Sequence, residues 1–278
     1  MANILKIKKL IDEADTILIG AGSGLSNAAG ITYSGAKFES EFADYIKKYN
    51  FEDLYTSLFY EFKTEEQRWP YLAKHINYAY YQNRENELYQ DLLDVIKHKD
   101  YFVITTNTDG LFINNGFIEN KVFEVHGTYS KLQCAIGCHN KLYDNYDLVE
   151  RIIDNTNKDL EIEKSLVPKC PLCNGKMNIN LRFFPNFVED AKWYLQQKRY
   201  EEYIDNLTGK KVLILEFGSG FKYPGVIRVP FEQLTFLNHS ATLIRFNRDY
   251  PDVPNEIRRR SISITDDIGT ILKLLKKL

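Results

Sequence analysis

The stretch Thr16–Ile31, TILIGAGSGLSNAAGI, constrains this chain more than any other. The apolar run Thr16-Ile17-Leu18-Ile19 opens directly into a loop built mostly from Gly, Ala and Ser. A short apolar run bounded by turn residues is the pattern of a strand buried on both faces, as in a parallel sheet. Residues without bulk at its carboxyl end let backbone approach something closely, and the usual something is a phosphate. The loop departs from the dinucleotide-binding fingerprint, because Leu25 stands where the third glycine after Gly20-x-Gly22 belongs. By itself the loop is weak evidence for a nucleotide.

The rest of the 278-residue chain supplies the context. Residues 3–14 place Ile4, Ile7 and Ile11 on one stripe and predict an amphipathic helix. YFVITTN (101–107), KVFEVHG (121–127), KVLILEFGSG (211–220) and ATLIRFN (241–247) read as strands. AKWYLQQKRYEEYIDNL (191–207) and the terminal DDIGTILKLLKKL read as helices. Strands alternating with helices predict an α/β fold, a Rossmann-like doubly wound parallel sheet. From Phe38 to about His98 the pattern is helical, with Phe42, Tyr45 and Ile46 on one face and breaks expected at Pro70 and Asn83. That is too long for one crossover and reads as an inserted helical module. The division expected is a Rossmann-like domain over 1–37, 99–129 and 181–278, a helical insertion over 38–98 and a cysteine-bearing module over 130–180. Ligands bind such sheets outside the carboxyl ends of the strands, where Gly218-Ser219-Gly220 and Asn247 follow two further strands.

A net charge of −2 gives no case for nucleic acid or an anionic membrane as the main partner. No apolar run approaches the ~20 residues of a membrane span. The start alternates apolar and basic residues, unlike a signal peptide, so a cytoplasmic location is expected.

The four cysteines fall as Cys134-x3-Cys138 and Cys170-x2-Cys173. In a reducing compartment two close pairs suit tetrahedral thiolate coordination better than disulfides. With no fifth thiol to act as a nucleophile, one structural zinc ion is expected. His139, beside Cys138, is a possible but unneeded substitute ligand.

Taken in order, GAGSGLSNAAGI, TNTDGL, VHG, the paired cysteines, FGSG and RFN resemble the motif set of the sirtuins. The resemblance covers nearly the whole chain and implies a Rossmann-like domain that binds NAD. Within the family the chain is most similar to the macrodomain-linked, or class M, microbial sirtuins. That similarity rests on the extended GAGSGLSNAAGITYSGAKF loop, the FYEFKTEEQRWPYLAKHI insertion and the QCAIGCHNKLYDN segment. The subgroup is associated with ADP-ribosylation of lipoyl-carrier proteins, whereas most sirtuins remove acyl groups from lysine. The resemblance therefore implies transfer of ADP-ribose to a protein acceptor, such as a lipoylated carrier protein, with a macrodomain protein as functional partner. The alternatives are an NAD-dependent lysine deacylase and a sensor that binds NAD without turnover.

Cleaving the bond between nicotinamide and ribose builds oxocarbenium character on the sugar, so polar groups must orient and stabilise it. By resemblance, Asn107 fixes the ribose or a water and Asp109 holds the nicotinamide end. His126 carries an imidazole able to take a proton from a ribose hydroxyl near pH 7. These three are the expected catalytic residues, while His75, His98 and His239 read as structural. The cofactor contacts implied are Gly20, Ala21, Gly22, Ser26, Asn107, Asp109, Gly218, Ser219, Asn247 and Asp267; the metal ligands are Cys134, Cys138, Cys170 and Cys173. Tyr33, Phe183, Phe184 and Tyr223 are candidates to line the site, and Arg258-Arg259-Arg260 reads as a solvated loop. Two departures weigh against an acyl-lysine channel. Thr32-Tyr33-Ser34-Gly35 replaces the Pro-Asp-Phe-Arg of typical deacylases, and NLRFFPNFVED (180–190) lacks their Gly-Glu and contains Pro185. His126 weighs the other way, because class M members often replace it.

Overall fold

The first buried run becomes a strand whose six residues, Thr16–Ala21, are all buried. The computed structural model describes residues 2–278. In chain order its strands are β1 (Thr16–Ala21), β2 (Asp100–Thr105), β3 (Val122–Glu124), β4 (Gly127–Cys134), β5 (Tyr143–Asp144), β6 (Met177–Leu181), β7 (Val212–Phe217), β8 (Thr242–Phe246) and β9 (Ser261–Ile264). The chain divides into two compact units, one of Met1–Ala29, Glu85–His126 and Ala191–Leu278, the other of Gly30–Arg84 and Gly127–Asp190.

The first unit holds a sheet of order β3-β2-β1-β7-β8-β9, with every neighbouring pair parallel. The chain runs outward from β1 to β3, then starts again beside β1 with β7. The strand order therefore reverses between β1 and β7, as in a Rossmann sheet. Ile17, Leu18 and Ile19 are fully buried, so both faces are covered. On one face Leu18, Phe102, Ile104, Ile214 and Leu243 pack with Ile227 and Phe231 and with Trp193, Tyr200 and Ile204 of the helix Ala191–Asp205. The amphipathic helix Ala2–Glu13 buries Ile4, Ile7 and Ile11, the stripe read from sequence.

Three of the strands read from sequence stop short of their predicted ends, while β1 runs two residues past Ile19 to Ala21. β2 ends at Thr105 rather than at 107, β7 at Phe217 rather than 220, and β8 at Phe246 rather than 247. Apart from Thr106, the residues left over are Asn, Gly and Ser, which favour turns. β9, SISI, is a further strand absent from the sequence reading; its Ile264 alone is buried.

The second unit has an antiparallel sheet of order β5-β4-β6 where 130–180 showed little periodicity. Its helices enclose an aromatic core in which Phe42 meets Tyr45, Tyr71, His75 and Tyr78. Pro70 does not break the chain: the helix Glu65–Ile76 runs through it. Proline at that position cannot donate to the carbonyl of Glu66 four residues back. That carbonyl instead accepts from the N–H of Ile162 at 3.1 Å, so it is not left unpaired. A π-helical turn, Asn77–Tyr81, continues the helix and ends just before Asn83. His75 is structural, its ring nitrogens 3.1 Å and 3.0 Å from the hydroxyls of Tyr71 and Tyr129.

The arginine triplet is also corrected. Asn255–Arg260 is a 3₁₀ helix, and the Arg260 guanidinium donates to the carbonyls of Thr235 and Asn238 (2.8 Å for the latter) at the end of the helix Arg228–Leu237. A cation there satisfies last-turn carbonyls and suits the helix dipole. Arg258 and Arg259 remain exposed. Among the described residues no helix is long and apolar enough to cross a membrane.

Candidate active site and metal centre

The polar residues just past β1, β2, β3, β7 and β8 build the candidate active site within the first unit. Gly22 opens the short helix Ser23–Ala28, and its N–H donates to Phe217 O at 2.9 Å. Gly24 N–H donates to Gly218 O at 3.1 Å. A Cβ on Gly22 would lie 2.8 Å from Gly218 O, and one on Gly218 would lie 2.4 Å from Gly24 Cα. Gly218 also has φ +59°, a left-handed conformation that favours glycine. The loops after β1 and β7 thus interlock backbone to backbone at the point where strand order reverses. Gly20 has a different reason: a Cβ there would lie 2.4 Å and 2.5 Å from Phe231 and Ile227 in the core. At each of these glycines the atoms that an added Cβ would meet belong to protein. Ala21 is fully buried as the last residue of β1.

Asn107 ties β2 to β1. Its Nδ2 donates to Gly22 O at 3.0 Å and its N–H to Thr105 Oγ1 at 3.0 Å, while Thr105 Oγ1 donates to Ala21 O at 2.9 Å. Asp109, 83 residues along from Ser26, accepts from the Ser26 hydroxyl at 2.5 Å and from Leu111 N–H at 3.0 Å. Burial pushes its carboxyl up, with those two hydrogen bonds opposing. His126 is buried and stands edge-on to the Tyr223 ring, centroids 4.9 Å apart. Two residues earlier, burial pushes the Glu124 carboxyl up to about 7, against Lys192 and reinforced by the Asp109 charge.

On the other side of the switch point, Asn247 Nδ2 donates to Ser219 O at 2.8 Å, and its Oδ1 accepts from Tyr250 N–H at 2.9 Å. The Ser219 hydroxyl is buried with no hydrogen-bond partner among the described residues. Asp267 caps the helix Ile268–Lys276, its Oδ1 accepting from Thr270 N–H at 2.8 Å and Thr270 Oγ1 at 2.9 Å. Tyr33, Phe183 and Phe184 belong to the second unit, where Phe183 and Phe184 pair with Tyr55 and Phe59. Sequence reasoning missed Thr105 and Glu124. The signal available was a polar residue closing an apolar strand.

A dinucleotide fits this donor set. The unpartnered Ser219 hydroxyl can meet a ribose or phosphate oxygen, and the amide and carboxyl groups of Asn107 and Asp109 suit a sugar or a carboxamide.

The metal centre lies wholly in the second unit. Cys134 ends β4, Cys138 follows a turn, and Cys170 and Cys173 flank a tight loop; the four Sγ atoms lie within 4.8 Å of one another. Cys134–Cys173 and Cys138–Cys170 are each 3.6 Å apart. Tetrahedral Zn–S bonds of ~2.3 Å require sulfurs ~3.8 Å apart, so the cage has zinc's size. Backbone N–H groups of Cys173 and Leu172 hold the Cys170 thiol below its ordinary range, favouring the thiolate that binds metal. His139 is not a fifth ligand. Its Nδ1 accepts from Lys141 N–H at 3.1 Å, which leaves the proton on Nε2, 3.4 Å from Cys170 Sγ. It donates to a ligand rather than replacing one.

Comparison with known proteins bears on both centres. The model of the Sir2 family matches residues 22–206. A protein ADP-ribosyltransferase of Staphylococcus aureus is 33% identical over 96% of this chain and 84% of its own length. A probable bifunctional ADP-ribose hydrolase/ADP-ribosyltransferase of Fusarium oxysporum f. sp. cubense is 31% identical over 96% of this chain, which spans 47% of that protein. A solved structure of Sir2 with a p53 peptide and NAD+ superposes with a TM-score of 0.56 at 20% identity, covering 98% of this chain and 96% of that one.

Proposed function

The chain belongs to the Sir2 family, the sirtuins, and on that premise we propose that it is an NAD-dependent protein ADP-ribosyltransferase. NAD supplies the ADP-ribosyl group, and nicotinamide leaves. The observation that carries the reading is the set of groups around the β1–β7 switch point: Asn107 anchored to Gly22, Asp109 bonded to Ser26, and the buried hydroxyl of Ser219 beside Asn247. In this reading Gly22, Gly218, Ser219 and Asn247 hold the dinucleotide. Asn107 orients the reacting ribose, and Asp109, whose carboxyl is pushed up by burial, holds the nicotinamide end. A pure NAD sensor has no need of these last groups.

The acceptor is a protein. Transfer is favoured over deacylation by the segment after β6. In deacylases the corresponding stretch pairs with the substrate peptide as a strand. Here Arg182–Asn186 forms turns, Asn186 is left-handed at φ +58°, and its carbonyl accepts from Gln133 Nε2 at 2.8 Å. We place the chain with the macrodomain-linked sirtuins and propose a lipoylated carrier protein as acceptor. The name of the Fusarium relative joins an ADP-ribose hydrolase to an ADP-ribosyltransferase, which supports a functional partner that acts on ADP-ribose, and we propose a macrodomain protein in that place.

His126 favours a second reading, the deacylase, because a base at the ribose hydroxyls serves that route. Incubation with NAD and lipoylated or acylated proteins separates the two. Mass spectrometry of the acceptor should find an ADP-ribose adduct; loss of acyl groups without an adduct selects the deacylase.

A further inference from the structure

We infer that the buried ion network Glu216–Arg245–Glu232–Arg228 is a positioning device that sets the shape of the Asn247 side of the NAD site. The inference rests on the reading of Asn247 and Ser219 as NAD contacts.

Glu216 on β7 and Arg245 on β8 are register neighbours, and both are 0% exposed. The Arg245 guanidinium donates from Nε to Glu216 Oε1 at 2.9 Å and from Nη2 to Glu216 Oε2 at 2.8 Å. The same Nη2 donates to Glu232 Oε1 at 2.8 Å on the covering helix Arg228–Leu237. Arg228, at the start of that helix, lies 3.6 Å from the same Glu232 oxygen.

Ions in the interior of a Rossmann sheet are costly, and apolar residues of equal volume often serve stability as well or better. What these two arginines do that apolar residues cannot is reach the loop 248–254, a segment with no regular structure. Arg228 donates to Tyr250 O at 3.0 Å and to Asp252 O at 2.8 Å, and Arg245 Nη1 also donates to Asp252 O. From its other side the loop is tied to Asn247, whose Oδ1 accepts from Asp249 and Tyr250 N–H. Tyr250 stands edge to face with Phe221 at 5.1 Å, and the Arg228 guanidinium lies 4.4 Å from the Phe221 ring. Two guanidiniums thus fix from beneath, by its carbonyls, the loop whose amides orient Asn247. They are positioning residues.

The test replaces the central pair with apolar residues of similar size, Glu216→Leu with Arg245→Met, and separately makes Arg228→Lys. NAD affinity is read by calorimetry, KM and kcat by nicotinamide release, and folding by thermal melting. If the competent arrangement of the loop falls to about a tenth of the population, the apparent Kd for NAD rises about tenfold. The double variant should keep a wild-type melting temperature and kcat while Kd and KM for NAD rise on the order of tenfold. Arg228→Lys, which keeps the charge but not both carbonyl contacts, should show a smaller rise in the same direction. Wild-type NAD affinity in a folded double variant overturns the inference. Should the double variant not fold, wild-type affinity in Arg228→Lys overturns it equally. No NAD binding by the wild-type protein instead overturns the functional reading, and this inference with it.

Discussion

Gly24 and Gly218 interlock: the N–H of the first donates to the carbonyl of the second at 3.1 Å, leaving no room for a Cβ on either. Gly218→Ala adds a methyl 2.4 Å from Gly24 Cα in a left-handed conformation. Overpacking and the φ penalty together should cost on the order of 3 kcal/mol. Urea unfolding of the NAD-free protein measures this. A variant as stable as wild type would show that the loops move apart freely, and that the glycines serve the ligand alone.

The metal prediction concerns composition and folding. Purified protein should carry about one zinc per chain, and Cys170→Ser should lose it along with folding yield. His139→Ala should keep zinc but bind it ~10–100-fold more weakly, since it removes the ring beside Cys170, Tyr143 and Lys141 and none of the four thiolates. Metal analysis and competition with a chelator read both. A folded, zinc-free wild type contradicts the cage.

His75 makes acid stability measurable. Burial holds its imidazole down to about 3 from an ordinary 6.5. Between those values the unfolded chain binds a proton here that the folded chain does not. This contribution to stability is therefore complete above pH 6.5 and is lost as pH falls toward 3, by about 1.4 kcal/mol per unit. His75→Gln should be the less stable protein at pH 7, with the gap narrowing by about 2 kcal/mol at pH 5. A gap that does not change with pH means the folded ring does accept a proton.

The parallel sheet was legible because β1, β2, β7 and β8 are apolar runs buried on both faces, a signal that needs no partner to be read. β9 escaped because SISI buries little beyond Ile264. β4 escaped because GTYSKLQC carries neither a continuous nor an alternating pattern, and β6 because MNINL, although it alternates apolar and polar residues, is only five residues long. Pro70 misled for a physical reason: a helix survives proline when another segment takes the freed carbonyl, and Ile162 is 96 residues from Glu66. The candidate site residues were read from motif order, but their hydrogen-bond wiring was not legible there. Ser26 and Asp109 meet only through the fold, and the capping bond of Asp267 to Thr270 needs the helix start to be known.

Asn107 and His126 should separate orientation from proton transfer. Asn107→Ala should slow nicotinamide release on the order of 10²-fold with any acceptor, because it removes the group proposed to orient the ribose. His126→Ala should retain a measurable fraction of ADP-ribosyl transfer, since a protein nucleophile can attack the anomeric carbon without a base at the ribose hydroxyls. Near-total loss of product in His126→Ala marks the deacylase instead.

The most direct measurement is the stoichiometry of one reaction: nicotinamide released against ADP-ribose attached to the acceptor, with wild-type protein, NAD and a lipoylated carrier protein. Transfer predicts one ADP-ribose on the carrier for each nicotinamide freed, no acyl group lost, and both signals falling together in Asn107→Ala. Nicotinamide release matched by acyl loss, with no ADP-ribose on the carrier, contradicts the account.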